Sequence, residues 1–112
     1  MTTAKSKSRK ELEKIVGEPM SVSLLLRSNR FCEELSQKDF AKRLGVSVAN
    51  LCDIEKGRQL VSPQRAARFA EALGLSEKQF VRVALQDILR KQGFENFEVH
   101  LVTQNRRHRR AA

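Results

Sequence analysis

Tryptophan and tyrosine are absent from the sequence, and six phenylalanines are its only aromatic residues. A core built from this chain must therefore be mostly aliphatic, with a few phenylalanine anchors. Long apolar runs are absent too, because no segment approaches the ~20 apolar residues that a membrane-spanning helix requires. No apolar stretch follows the basic N-terminus, as one would in a signal peptide. We therefore expect a cytoplasmic protein without a membrane segment.

Cysteine and histidine are scarce, with two residues of each. Cys32 and Cys52 lack the CxxC spacing of a zinc site, so we expect both to be small buried hydrophobes. No metal site and no cofactor are predicted. The sequence also lacks a glycine-rich phosphate loop, an HExxH motif and a Ser/His/Asp or Cys/His constellation. An enzyme is therefore not expected.

Positive charge is abundant, since the 112 residues carry a formal net charge of +9. Residues 1–10 and 103–112 each contain four basic residues and no acidic one. A third basic region, from Arg27 to Arg68, has nine basic against five acidic residues. Each tail can be interpreted as a solvated end or as an arm that binds a polyanion. Membrane binding is not expected, because apolar residues are not interleaved with the bases of either tail.

Between residues 21 and 93 one pattern recurs: a serine that can cap a helix, a stretch with helical apolar spacing and a glycine near its end. This pattern predicts a compact all-α bundle of five helices. The chain length is that of one domain. We expect residues 1–20 to form a basic arm that can include a short helix, and residues 103–112 to form a basic disordered tail.

After Gly93 the apolar spacing changes from that of a helix to that of a strand. In FENFEVHLV, Phe97, Val99 and Leu101 alternate with polar residues, which predicts a short C-terminal β-strand within residues 94–102. A lone strand is not stable, and the sequence offers no second long strand to pair with it. It can pair with the same strand of a second copy, which makes a homodimer, or with a strand of another protein.

The segment LSQKDFAKRLGVSVANLCDIEKGRQ, residues 35–59, contains two short helical patterns joined only by GVS. Two helices joined by a tight turn with glycine form the helix-turn-helix unit, whose second helix can enter the DNA major groove. The outward residues of that second helix are small or polar: Val48, Ala49, Asn50 and Asp53. Basic residues that can reach phosphates flank the unit: Lys38, Lys42, Arg43, Lys56 and Arg58.

This segment resembles the Cro and repressor class, or XRE type, of helix-turn-helix regulators, and the resemblance covers about residues 21–75. The residues that carry it stand at the family's spacings: Gln37, Ala41, Gly45, Ser47, Leu51, Ile54, Glu55, Gly57, Ala70, Leu73 and Gly74. The resemblance implies a lambda-repressor-like bundle that binds double-stranded DNA, usually as a dimer on a palindromic operator.

The resemblance also implies roles for single residues. Four are implied to read bases: Val48, Ala49, Asn50 and Asp53. Five are implied or placed to bind phosphates: Gln37, Lys38, Ser47, Lys56 and Arg58. Arg30 and Glu55 match a partly buried ion pair that ties the first helix to the third. The Asn50 side chain can form two hydrogen bonds with adenine. Asp53 can accept a hydrogen bond from cytosine or join a local hydrogen-bond network.

The function that this sequence favours is sequence-specific DNA binding by a homodimeric transcriptional regulator, with repression as the expected outcome. An alternative is an antitoxin of the HigA type, which binds a toxin protein through another segment and autoregulates its own operon. A third interpretation is a helical bundle that binds only proteins. The strand after Gly93 favours the antitoxin alternative if its pairing partner is another protein.

Overall fold

The structure is a computed structural model that describes residues 17–104. It contains five helices, and the predicted all-α fold is confirmed. Their bounds are α1 Val22–Cys32, α2 Gln37–Leu44, α3 Val48–Glu55, α4 Pro63–Leu73 and α5 Glu77–Lys91. The short helix predicted within the N-terminal arm, and most of the basic C-terminal tail, lie outside the described residues.

A serine immediately precedes each of these five helices. In each case the serine hydroxyl oxygen accepts a hydrogen bond from the main-chain N–H three residues later, which satisfies a donor that the helix itself leaves unpaired. The capping residues are Ser21, Ser36, Ser47, Ser62 and Ser76. Such a cap contributes about 1 kcal/mol to stability. The helix starts are therefore determined by local sequence.

The turn between α2 and α3 is short because Gly45 ends α2 with a left-handed backbone, at φ +77°. A residue with a side chain would be strained there. The N–H of Val46 then donates to the carbonyl of Ala41 at 3.0 Å, which closes the end of the helix. Ser47 follows at once as the cap of α3. The turn thus holds the two helices close together.

The core is a single cluster to which all five helices contribute buried side chains. It is aliphatic with three buried phenylalanines, as composition predicts. Its largest fully buried side chains are Phe40, Phe80, Leu26, Leu51, Ile54, Val22, Val61 and Val83. Leu51 and Ile54 project from α3, so one face of this helix is fixed against the bundle.

Two expectations from the sequence are corrected. No strand is present in residues 17–104, and the segment after Gly93 has no regular secondary structure. Its alternating pattern is real, but a strand needs a neighbour for its main-chain groups, and the chain alone supplies none. Cys32 is exposed and Cys52 is half-buried, so the expected burial of Cys32 was wrong. Cys32 is the last residue of α1, where the helix leaves the core.

The start of α1 is held by α5 through Asp87, which is a buried residue. The N–H of Val22 donates to Asp87 Oδ2 at 3.0 Å, and Arg90 donates to Asp87 Oδ1 at 3.0 Å. Burial raises the pKa of the Asp87 carboxyl above its usual value of 3.8, and outweighs the opposing effect of these two hydrogen bonds. Folding therefore disfavours the ionised form of this carboxyl.

This raised pKa predicts a pH dependence of stability. The contribution of Asp87 is fully present below the unfolded pKa, near 3.8, and is lost as pH rises through the higher folded value. Asp87→Asn cannot titrate, so the stability of wild type relative to this variant should fall as pH rises above about 4. Urea unfolding at several pH values measures this difference in the free energy of unfolding. Glu71→Gln is the control for loss of an exposed carboxylate. A relative stability that rises with pH would contradict the assignment.

Candidate nucleic-acid interface

The outer face of α3 is exposed at its N-terminal end. Val48 retains 43% of its accessible surface, although it is an apolar residue, and Ala49 beside it is exposed. Val46, in the turn before α3, is half-buried against the core instead. An exposed apolar surface on a helix suits contact with another surface, such as the methyl group of thymine in the major groove.

Glu55, at the C-terminal end of α3, joins three helices. The residue is 6% exposed, and its carboxylate accepts hydrogen bonds from α1 and from the start of α2. Arg30 Nε donates to Oε2 at 2.8 Å, and a terminal nitrogen of Arg30 donates to Oε1 at 2.9 Å. The side-chain amide of Gln37 donates to the same Oε1 at 3.0 Å. A carboxylate this buried is tolerated only when it is paired and hydrogen-bonded, as it is here.

The hydrogen bond to Glu55 places the first residue of α2 beside the last turn of α3. As a result Gln37 and Lys56 line the same open groove, together with Arg27. Lys38 follows Gln37 on the exposed surface. Gln37 uses one amide hydrogen on Glu55 and keeps its carbonyl oxygen and second hydrogen available. This end of α3 thus groups three of the residues implied to bind phosphates.

Arg58 and Asp53, which the sequence assigns to phosphate and base respectively, contact each other. Arg58 donates to Asp53 Oδ1 at 3.4 Å, and both side chains are largely exposed. An exposed ion pair of this length contributes little to stability. Of the two roles open to Asp53, the local network is therefore the one present in the free chain.

The N-terminal end of α3 carries a second polar cluster, which we call the Asn50 cluster: Asn50, Gln59 and Arg65. The Asn50 amide donates to Gln59 Oε1 at 2.8 Å, and its oxygen accepts from Arg65 at 2.7 Å. Ser47 caps the helix beside it by accepting the main-chain N–H of Asn50 at 3.0 Å. The Ser47 hydroxyl hydrogen is not used by this bond and can still be donated. Asn50 is therefore not a free side chain but part of a polar unit.

Sequence reasoning missed Gln59 and Arg65. One signal was available for Arg65, which lies in the first turn of α4, three residues after its cap Ser62. The helix dipole disfavours a basic side chain in the first turn of a helix. A basic residue at this position therefore indicates an interaction partner. Neither α3 nor α4 has an acidic residue in its first turn, whereas α2 and α5 carry Asp39 and Glu77 there. The two helix starts near Asn50 are therefore electropositive.

Two helices of eight residues, a tight turn and an exposed outer face on the second helix define a helix-turn-helix protein. The chain belongs to the family described as the helix-turn-helix domain, whose model matches residues 22–82, more than half of the sequence. This membership supports a DNA-binding regulator. Searches of curated proteins and of solved structures found no match. None of the described helices has the length and apolar character needed to cross a membrane.

The buried Glu55 carboxylate predicts the effect of removing Arg30. Arg30→Ala leaves a carboxylate buried without its main partner, which typically costs about 3–5 kcal/mol. For a domain of this size we expect the melting temperature to fall by more than about 10 °C. DNA binding should be reduced only by loss of folded protein. Thermal unfolding and DNA titration of the same sample measure both effects.

Arg43→Ala is the matched control for the thermal unfolding, because Arg43 pairs with Glu33 and both side chains are 42% exposed. We expect the free energy of unfolding of this variant to fall by less than about 1 kcal/mol. If Arg30→Ala melts like the wild type and yet loses DNA binding, Arg30 contacts DNA and the structural role is wrong.

Proposed function

We propose that the protein is a sequence-specific transcriptional regulator of the XRE type, acting as a repressor. It places α3 in the major groove of double-stranded DNA and binds a palindromic operator as a homodimer. The observation that carries the proposal is the orientation of α3, whose inner face is packed and whose last turn is locked through Glu55. The opposite face of α3 stays exposed at the end that would meet base edges.

Affinity comes mainly from phosphate contacts, which position the protein without reading sequence. Lys38, Lys42 and Lys56 are exposed on or beside the helix-turn-helix unit. The electropositive starts of α3 and α4 add main-chain N–H donors of the kind that bind phosphate oxygens. Arg58 can leave its long contact with Asp53 at little free-energy cost and bind a phosphate.

Specificity comes from the N-terminal end of α3. Val48 and Ala49 present small apolar surface that suits a thymine methyl group. The Asn50 cluster supplies the polar contacts, and it acts as a unit because Gln59 and Arg65 share the Asn50 amide. Arg65 uses only part of its donor capacity on Asn50, so it can also reach a base or a phosphate at the groove edge.

The proposed division between base readout and phosphate binding predicts the effect of two substitutions. Asn50→Ala should lose about 1–3 kcal/mol on the preferred duplex and relax the preference at one base position in each half-site. Lys56→Ala should weaken all duplexes about equally and reduce the slope of log K against log salt by about 0.9 for each phosphate that Lys56 neutralises in the wild type. Selection of bound duplexes from a random pool, followed by titration at several salt concentrations, measures both.

Lys78→Ala is the control for charge, because Lys78 is exposed on α5, a helix that carries none of the residues proposed to contact DNA. This variant should leave both the base preference and the salt slope unchanged. If Asn50→Ala selects the same sequences as the wild type, Asn50 plays no part in readout, and Gln59 and Arg65 must be tested alone.

The proposed homodimer forms through the segment after Gly93, with Phe97, Val99 and Leu101 of both copies buried in the contact. Phe97 is 58% exposed in the single chain, which supports an additional partner at this surface. A symmetric dimer carries two copies of α3 related by a two-fold axis. Binding of both copies to one face of DNA requires them to lie about 34 Å apart, one helical turn.

The second candidate function is an antitoxin that binds DNA with this domain and a toxin protein with residues 94–102. The observation in its favour is the same unpaired segment, which could pair with a strand of another protein instead of a second copy. A neighbouring gene that encodes a small basic toxin would favour this candidate. A free chain that sediments as a monomer would favour it as well.

A further inference from the structure

We propose that the dimer contact uses one particular edge and register of the C-terminal segment. Residues 97–101 of two copies pair as antiparallel strands about a two-fold axis at Val99, so that Glu98 of each copy lies opposite His100 of the other. This inference rests on the proposed homodimer and adds to it the edge, the register and the pair of side chains that determine it.

One edge of the segment is already occupied by α5. The Gln86 side-chain amide donates to the main-chain carbonyl of Phe97 at 2.7 Å, and its oxygen accepts the N–H of Val99 at 2.8 Å. In an extended chain, the carbonyl of one residue and the N–H two residues later point to the same edge. A neighbouring strand would bond the same two groups. Gln86 thus takes the place of a neighbouring strand at Phe97 and Val99 and blocks this edge.

The opposite edge is open. It carries the main-chain N–H and carbonyl groups of Glu98 and His100, because successive residues of a strand point their main-chain groups to opposite edges. Within residues 17–104 these four groups make no hydrogen bond. An exposed edge of this kind is a template for another strand. Since Gln86 blocks the first edge, a second copy can add only at this one.

The side chains determine the register. Glu98 and His100 lie on one side of the segment, with Glu98 Oε1 and His100 Nε2 3.3 Å apart. An axis at Val99 places each glutamate opposite the histidine of the other copy, and this complementary pair occurs twice. Moving the axis by one residue along the same edge places Glu98 opposite Glu98, or His100 opposite His100. Moving it by two residues places Glu98 opposite Asn96, or His100 opposite Val102. Residues that face each other across a strand pair stabilise it when their charges are opposite, and destabilise it when their charges are alike.

The apolar side of the same pairing is also self-complementary. With the axis at Val99, Phe97 of each copy lies opposite Leu101 of the other, and the two Val99 side chains meet at the centre. Val99 and Leu101 are already half-buried in the single chain, while Phe97 is exposed. Pairing therefore completes the burial of an apolar surface that α5 covers only in part. Only the register with its axis at Val99 places complementary side chains opposite each other on both the polar and the apolar side of the segment.

Disulfide cross-linking tests the register directly. Cys32→Ser and Cys52→Ala first remove the native thiols, and Val99→Cys, Phe97→Cys and Leu101→Cys are each added singly. The two Val99 positions form a non-hydrogen-bonded pair, with Cα atoms about 4.5 Å apart, which is within the range that a disulfide spans. Oxidised glutathione should therefore cross-link Val99→Cys to itself. Two Phe97 positions are offset by about 13 Å and should not cross-link.

The mixture of Phe97→Cys and Leu101→Cys is the decisive control. These positions lie opposite each other, so the mixed sample should cross-link although neither protein does so alone. Self-linking of Phe97→Cys, or no linking of Val99→Cys, overturns the register. If Val99→Cys fails to cross-link while the parent protein sediments as a dimer, the proposed homodimer stands and only this register is wrong. If the parent protein sediments as a monomer, the homodimer fails as well.

The pairing of Glu98 with His100 has its own test, because His100→Glu places two glutamates opposite each other twice. Two such pairs should weaken the dimer about 2- to 30-fold, measured by sedimentation equilibrium. Glu98→Lys combined with His100→Glu places opposite charges across the pair and should recover a dimer as tight as that of the wild type. A double variant no tighter than His100→Glu would contradict the pairing. DNA binding of the same variants to an isolated half-site should not change.

Discussion

The buried carboxylate of Glu55 is the group on which the candidate interface depends. A charged residue with 6% exposure would be strongly destabilising without partners, and it finds them only if α1 and α2 both approach the last turn of α3. Arg30 and Gln37 supply these bonds, and the Ser23 hydroxyl donates to the Glu55 carbonyl at 2.7 Å. The direction of α3 is therefore set within the free protein. Binding to a groove then needs little rearrangement of the helix, which limits the free-energy cost of association.

The two ends of α3 have different chemistry because different elements surround them. At the C-terminal end, Gln37 and Lys56 line an open groove, in which Arg27 pairs with Glu18. At the N-terminal end, α4 begins beside α3, and its Arg65 enters the Asn50 cluster. The proposed phosphate contacts of Gln37 and Lys56 thus lie at one end of a helix of eight residues, about 12 Å long, and the proposed base contacts lie at the other. Substitutions at Val48 and Ala49 therefore need not disturb the hydrogen bonds of Glu55.

Sequence patterns predicted the helices well because their ends are determined locally. A serine cap needs only its own helix, and Gly45 supplies a backbone conformation that other residues avoid. The Asn50 cluster was not predictable in this way, since Asn50 and Arg65 belong to different helices and meet only after folding. The C-terminal segment is the opposite case. Its alternating pattern reflects a tendency to pair, but pairing depends on a partner that the sequence does not identify.

If α3 contacts bases in the major groove, DNA binding should depend on acceptor atoms that only this groove exposes. A duplex selected from a random pool is prepared with 7-deazapurines in one half-site, which removes major-groove acceptors and leaves the minor groove unchanged. We predict that affinity falls more than about fivefold, whereas 3-deazaadenine, altered in the minor groove, has little effect. Loss of affinity with 3-deazaadenine alone would contradict the claim.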